Sequence, residues 1–226
     1  MRGRFISFEG GEGSGKSSRA AALARRLRAR GIAVVLTREP GGSPGAEIIR
    51  HVILAGGAAP LGAEAETLLF AAARDDHLRT TVLPALAAGH WVISDRFLDS
   101  TRAYQGVLGA VDARLIRALE EVTVGDAVPD LTLILDVPAE VGLARAAARR
   151  GSGTADRFEA EDVNFHQALR QAFLAIAAAE PLRCAVIDGT QPPQAVDEAI
   201  WQTVTARLLP PRDAAAGPVT PQAATP

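Results

Sequence analysis

Gly10-Gly11-Glu12-Gly13-Ser14-Gly15-Lys16-Ser17 fits the pattern G-x-x-x-x-G-K-[ST] at the point where an apolar strand gives way to a helical pattern. Upstream, Arg4-Phe5-Ile6-Ser7-Phe8 alternates and is rich in β-formers. Downstream, Ser17 to Arg30 carries Ala21, Leu23, Ala24 and Leu27 at helical spacing. Strand, loop and helix together are the context of a nucleotide phosphate-binding loop. Glycines there admit backbone conformations closed to other residues, so the N–H groups from Gly10 to Ser18 can turn toward phosphate oxygens at the positive end of the helix. Lys16 is expected to reach the outer phosphates and Ser17 to ligate magnesium. Of the 24 basic residues, Lys16 is the only lysine, so the chain uses a compact charge on a flexible stem at this one position and arginine everywhere else.

The chain has 226 residues, which suits one α/β domain able to bury about 70% of its unfolded surface. A formal net charge of −2 gives no basic field of the kind that marks a nucleic-acid binder, and no stretch approaches the roughly 18 apolar residues of a membrane span. No signal peptide is apparent, so a cytoplasmic location is expected. Cys184 stands alone in an apolar run, which excludes an intrachain disulfide and favours a buried packing thiol. His51, His77, His90 and His166 lack metal-ligand spacing and read as surface or half-buried residues for the most part.

Ile32 to Thr37 is apolar without alternation, which predicts a strand covered on both faces and hence a doubly wound parallel sheet. Arg38-Glu39-Pro40-Gly41-Gly42-Ser43 follows at the carboxyl end of that strand, where open α/β sheets place ligand loops. Arg38 is placed either to meet an anion or to pair with Glu39 or Glu47. Ser43 to Leu54 reads as a short helix, and Glu64 to Ala88 as a long one that Pro84 must kink or restart. Phe70 and Arg74, four apart, share a helix face. They would either sandwich a planar group or form a core phenylalanine beside a surface arginine.

Trp91 to Ser94 predicts a third strand leading into Asp95-Arg96-Phe97, and Leu131 to Leu135 a fourth leading into Asp136. Either aspartate would serve the water shell of magnesium. Asp95 is preferred because Ser100, Thr101, Tyr104 and Gln105 follow it, whereas Asp136 runs into an ordinary helix start at Val137-Pro138. Pro138 to Ala148 is helical. Arg149-Arg150-Gly151-Ser152-Gly153-Thr154 then reads as a basic lid, or as a solvated turn, before Asp156-Arg157-Phe158-Glu159 opens another helix. Arg183 to Asp188 predicts the fifth strand and Pro192 to Leu208 the last helix. From Pro210, five prolines in 17 residues predict a disordered tail after a single domain spanning 1–209.

Assembled, these stretches resemble the bacterial thymidylate kinase family, P-loop enzymes that phosphorylate dTMP with ATP. The resemblance runs from about residue 3 to 208. It rests on Phe8-Glu9-Gly10, Thr37-Arg38-Glu39-Pro40-Gly41-Gly42, Leu69-Phe70 with Arg74, Asp95-Arg96-Phe97, Ser100 with Ala103-Tyr104-Gln105-Gly106, and Asp156-Arg157-Phe158-Glu159. It implies a P-loop NTPase fold with a five-stranded parallel sheet of order 2-3-1-4-5, helices on both faces, a short lid at about 147–158, and a homodimer. It further implies ATP and magnesium, the latter held by Ser17 and Asp95. Arg38 and Arg96 would hold the dTMP phosphate, Phe70 would stack on thymine, and Arg74 would meet a base oxygen. Thr101 and Gln105 would lie at the base edge, Tyr104 under the deoxyribose, and Glu12 at the sugar hydroxyl. Some family members carry an arginine within the phosphate loop. Gly13 occupies that position here, so Arg149 or Arg150 would supply the charge from the lid.

A nucleotide-dependent switch that signals through a partner is the rival class. A GTPase is disfavoured, because the guanine-reading Asn-Lys-x-Asp needs a second lysine that the chain lacks.

Overall fold

The computed structural model describes residues 2–151 and 157–209. The centre of the expected lid, 152–156, and the tail expected from residue 210 lie outside the described residues. Five parallel strands form the sheet: β1 (Phe5–Glu9), β2 (Val34–Arg38), β3 (Trp91–Asp95), β4 (Leu131–Asp136) and β5 (Cys184–Asp188), in the order β2-β3-β1-β4-β5. This is the expected P-loop NTPase arrangement. β1 is buried at every position, with Phe8 opposite Asp95 of β3 on one side and Leu133 of β4 on the other. The chain leaves β1 toward β2 but crosses from β3 to β4, which opens a crevice at the carboxyl ends of β1 and β3.

Strand alternation divides the core. Ile6 and Phe8 pack with Leu23 and Leu27 of α1 (Lys16–Arg28) and with Ile200 and Val204 of α9 (Pro193–Leu208). Phe5 points to the other face, against Leu78, Val92 and Phe97, so Ser7 and Glu9 of the same strand share that face. The remaining helices are α2 (Pro44–Leu54), α3 (Ala63–His77), α4 (Leu83–Ala87), α5 (Leu98–Thr101), α6 (Ala113–Thr123), α7 (Ala139–Arg150) and α8 (Val163–Ala179).

One expectation changes, and two stretches left open take a definite form. The periodic stretch from Glu64 to Ala88 restarts at Pro84, one of the two outcomes expected of it: α3 ends at His77, Leu78–Val82 forms a π-helical turn, and α4 begins with Pro84 in its first turn. Proline cannot donate to the preceding turn, and the π-helical widening before it, where the Leu83 amide reaches back to the Leu78 carbonyl, takes up the break. The helix expected to open at Asp156 begins instead at Val163, where the Asp162 side chain accepts the Phe165 amide at 2.8 Å as an N-cap. The stretch after Asp95 was legible only as polar. It forms α5 and then a π-helical segment, Arg102–Leu108, and π segments are frequent at functional sites.

Candidate active site

Gly15, with φ +93°, ends the loop and caps α1 in a conformation that a side chain would resist. Lys16 is buried and folds back so that Nζ donates to the carbonyls of Gly10 (3.0 Å) and Gly11 (2.8 Å). Burial, reinforced by the charge of Arg96, lowers its ammonium pKa to about 8 against the opposing pull of Glu12, Asp95 and Glu9. At Gly13 a Cβ would lie 1.9 Å from the carbonyl oxygen of Gly142, because α7 packs directly against the loop. An arginine therefore has no room within the loop at this position.

The two candidate acidic residues separate clearly. Asp95 accepts the hydroxyl hydrogen of Ser17, which joins the end of β3 to the first turn of α1. Asp136 is instead clamped by Arg170, whose Nε and Nη2 reach its two oxygens at 2.6 and 2.8 Å. A hydroxyl beside one carboxylate is a hard oxygen set of the kind magnesium uses when phosphates and water complete its shell.

Arg96 adopts φ +71°, uncommon for a residue with a side chain and worth roughly 1–3 kcal/mol of strain. Glu9 braces this turn: its Oε1 accepts the Phe97 amide and its Oε2 the Ser100 hydroxyl, both at 2.7 Å. Burial and the neighbouring charge of Asp99 raise the Glu9 pKa to about 8. The Arg96 guanidinium pairs with Glu12, which also accepts the Tyr104 hydroxyl at 3.0 Å. Burial works against ionisation of Glu12, but the charges of Arg96 and Lys16 and the Tyr104 hydrogen bond outweigh it and hold the carboxyl near 2. The Tyr104 ring lies under the Arg96 guanidinium at 5.2 Å and packs edge-on against Phe158.

Lys16, Ser17, Asp95, Arg96, Glu12 and Tyr104 line one open cavity of ≈ 350 Å³, together with Phe70, Arg74, Thr101 and Gln105 at its other end. The alternative of a core phenylalanine beside a surface arginine is reversed: Arg74 is buried and Phe70 half-buried. Arg74 donates from Nε to Glu39 Oε2 at 2.8 Å, and from Nη2 to the Phe97 carbonyl and the Thr101 hydroxyl, each at 3.1 Å. Thr101 and Gln105 are both buried.

Arg38 also lines the cavity, but its Nη2 meets both oxygens of Glu47 at 2.9 and 3.0 Å, the pairing weighed from the sequence. An exposed pair of this kind is worth about 0–1 kcal/mol, so a phosphate can displace it. Arg149 and Arg150, expected in the lid, close α7 and both meet Glu159: Arg149 at Oε1 (3.0 Å) and Arg150 at Oε2 (2.7 Å). Of the two, Arg149 lines the cavity.

Several site residues escaped sequence reasoning. Glu9 and Glu39 stand at or just past the carboxyl ends of β1 and β2, and that position was their signal. Phe158 and Glu159 line the cavity from the far end of the expected lid. His77 and His166 are fully buried rather than surface or half-buried, while His51 and His90 are exposed. Cys184 is buried as expected, with burial raising its thiol to about 11. Among the described residues, no helix is long and apolar enough to cross a membrane.

Comparison with known proteins agrees with this geometry. The family model "Thymidylate kinase" matches residues 8–200. A thymidylate kinase of a Bradyrhizobium strain is 62% identical over 208 residues, covering 92% of each chain. One from Rhodopseudomonas palustris is 61% identical over 217 residues, covering 96% of this chain and 94% of the relative. Among solved structures, thymidylate kinase from Ehrlichia chaffeensis superposes with a TM-score of 0.73 at 32% identity, covering 90% of this chain and all of that one. The chain belongs to the thymidylate kinase family.

Proposed function

We infer that this chain transfers the γ-phosphoryl group of ATP to dTMP, giving dTDP and ADP, as a step in nucleotide biosynthesis. One observation carries the reading: the phosphate loop and the Arg96, Glu12 and Tyr104 cluster open into the same cavity as Phe70 and Arg74. A nucleotide lying along that cavity would place its phosphate beside Lys16 and its base beside Arg74.

The chemistry asks little beyond placement, because the attacking oxygen of dTMP is already ionised and needs no general base. Lys16 releases its loop carbonyls and draws charge from the β- and γ-phosphates. Arg96, whose backbone Glu9 braces, orients the acceptor phosphate with Arg38. Glu12 accepts the deoxyribose hydroxyl, and Tyr104 packs beneath the sugar. Phe70 stacks on the base, while Arg74, Thr101 and Gln105 face its edge. A lid arginine, Arg149 or Arg150, compensates the charge of the transferring group. The oxygens of Ser17 and Asp95 would hold magnesium, which would supply positive charge against the charge that develops on the phosphates.

The reading extends to a cytoplasmic homodimer with one domain through residue 209 and a tail that takes no part in catalysis. Ile48 and Val52, four apart on α2, and Leu68 on the adjoining α3 are exposed apolar side chains, which supports a partner copy on this face. The deciding assay measures ADP release by the purified protein with and without dTMP. Release that requires dTMP supports the kinase; equal release without any acceptor would assign the site to an ATPase.

A further inference from the structure

His77 is wholly buried at the last position of α3, and phosphoryl transfer makes no direct use of it. Its Nδ1 lies 2.9 Å from Glu39 Oε1 and its Nε2 lies 2.7 Å from the Thr37 hydroxyl. A carboxylate only accepts, so Nδ1 carries the proton and the imidazole ties the end of β2 to the side chain of Glu39. The relay is packed shut from above: a Cβ at Gly42 would stand 2.3 Å from Thr37 Oγ1 and 2.6 Å from His77 Nε2.

This arrangement decides what Arg74 can do. A guanidinium beside a carboxylate favours two parallel hydrogen bonds. Here one oxygen of Glu39 is committed to His77, and Arg74 makes a single bond to the other through Nε. Its terminal nitrogens are thereby turned away from the carboxylate. Nη2 is taken by Phe97 and Thr101, and Nη1 finds no acceptor among the described residues while Arg74 lines the cavity. Two N–H donors are left facing the far end of the pocket, where they suit a ring carbonyl and oppose a ring amino group.

We propose that His77 is a positioning residue for base selection: by occupying one oxygen of Glu39, it turns the free edge of Arg74 toward the base, so that the pocket accepts a 4-oxo pyrimidine and rejects a 4-amino one. This rests on the reading of Arg74 as the base-facing residue.

The test measures dissociation constants for dTMP and dCMP by calorimetry on the intact protein. Asparagine places its amide N–H near the position of Nδ1, whereas glutamine places its own near Nε2. H77N therefore keeps the hydrogen bond to Glu39, and H77Q loses it. The expected result is that H77Q weakens dTMP about tenfold, the scale of one lost charge-assisted hydrogen bond, and narrows the dTMP to dCMP ratio. H77N should keep the ratio near that of the parent, although both variants lose thermal stability. A purely structural histidine would move stability alone, so an unchanged ratio in H77Q alongside a collapsed ratio in R74M overturns the proposal and leaves Arg74 as the base-facing residue. An unchanged ratio in R74M overturns the Arg74 reading and the proposal with it. Where H77Q does not fold, T37V serves instead. It removes one end of the relay with little change in volume and should narrow the ratio in the same direction by a smaller factor. A T37V ratio equal to that of the parent counts against the relay.

Discussion

Asp95 accepts the hydroxyl hydrogen of Ser17, and this contact joins the carboxyl end of β3 to the first turn of α1 beneath the phosphate loop. Both residues line the cavity, while Asp136, at the corresponding end of β4, is paired with Arg170. Replacing Asp95 with asparagine keeps the shape and removes the charge. The magnesium concentration for half-maximal activity should then rise about 10- to 100-fold, with turnover reduced at saturating metal. D136N should leave the magnesium requirement unchanged and lower the melting temperature, since it breaks the clamp on α8. An equal magnesium shift in both variants would remove the distinction between the two aspartates.

Glu159 divides its carboxylate between Arg149 and Arg150, yet only Arg149 lines the cavity. Gly13 cannot be replaced by a residue bearing a guanidinium, because Gly142 is in the way. This leaves the lid arginines as the proposed source of the charge that compensates the transferring group. R149A should lose on the order of a thousandfold in turnover with little change in dTMP affinity, the pattern of an interaction made mainly in the transition state. R150A should lose less. Turnover within a fewfold of the parent in the double variant would reject the lid assignment.

How much of this was legible beforehand depends on whether the signal was local. The phosphate loop, the five strands and most of their flanking helices follow from periodicity and from glycine placement, both of which are properties of short windows, although α6 was not read at all. The choice of Asp95 over Asp136 rested on a local signal too, the residues that follow each. What escaped depends on contacts across the chain. Nothing near Glu39 indicates that it bonds to Arg74 and His77, residues 35 and 38 positions away. The same holds for Glu9, whose oxygens are used by a turn 88 residues later. The π-helical turn at Leu78–Val82 escaped for a different reason. A single widened turn spans too few apolar positions to reveal a change of period, so Pro84 was the only local sign of a break there.

Tyr104 is fixed from two sides, by its hydroxyl on Glu12 and by Phe158 and Phe173 around its ring. In the proposed place beneath the sugar, a ring held this firmly would leave no space for a 2′-hydroxyl unless the tyrosine shifts or a polar group goes unpaired. The catalytic efficiency for dTMP should exceed that for UMP by about a hundredfold, and Y104A should narrow the ratio. Equal efficiencies in the parent protein would displace Tyr104 from the sugar site.

Because Lys16 is the only lysine, amine acylation has two protein targets, this side chain and the N-terminal amine. The neutral amine is the nucleophile. Burial brings Lys16 down to about 8, so its labelling should climb as pH rises through about 8 rather than through the ordinary lysine range near 10.4. Nucleotide phosphates reverse the effect: they favour the ammonium form and cover it, so ATP with magnesium should suppress labelling of Lys16 while the terminal amine reacts as before. Free thymidine has no phosphate and should protect little. Acylation removes a positive charge from the centre of the site, and loss of phosphoryl transfer should follow the side-chain label in proportion, as read by peptide mass spectrometry beside the kinase assay. Protein fully acylated at Lys16 that still turns over normally would exclude this lysine, and with it the phosphate loop, from the transfer step.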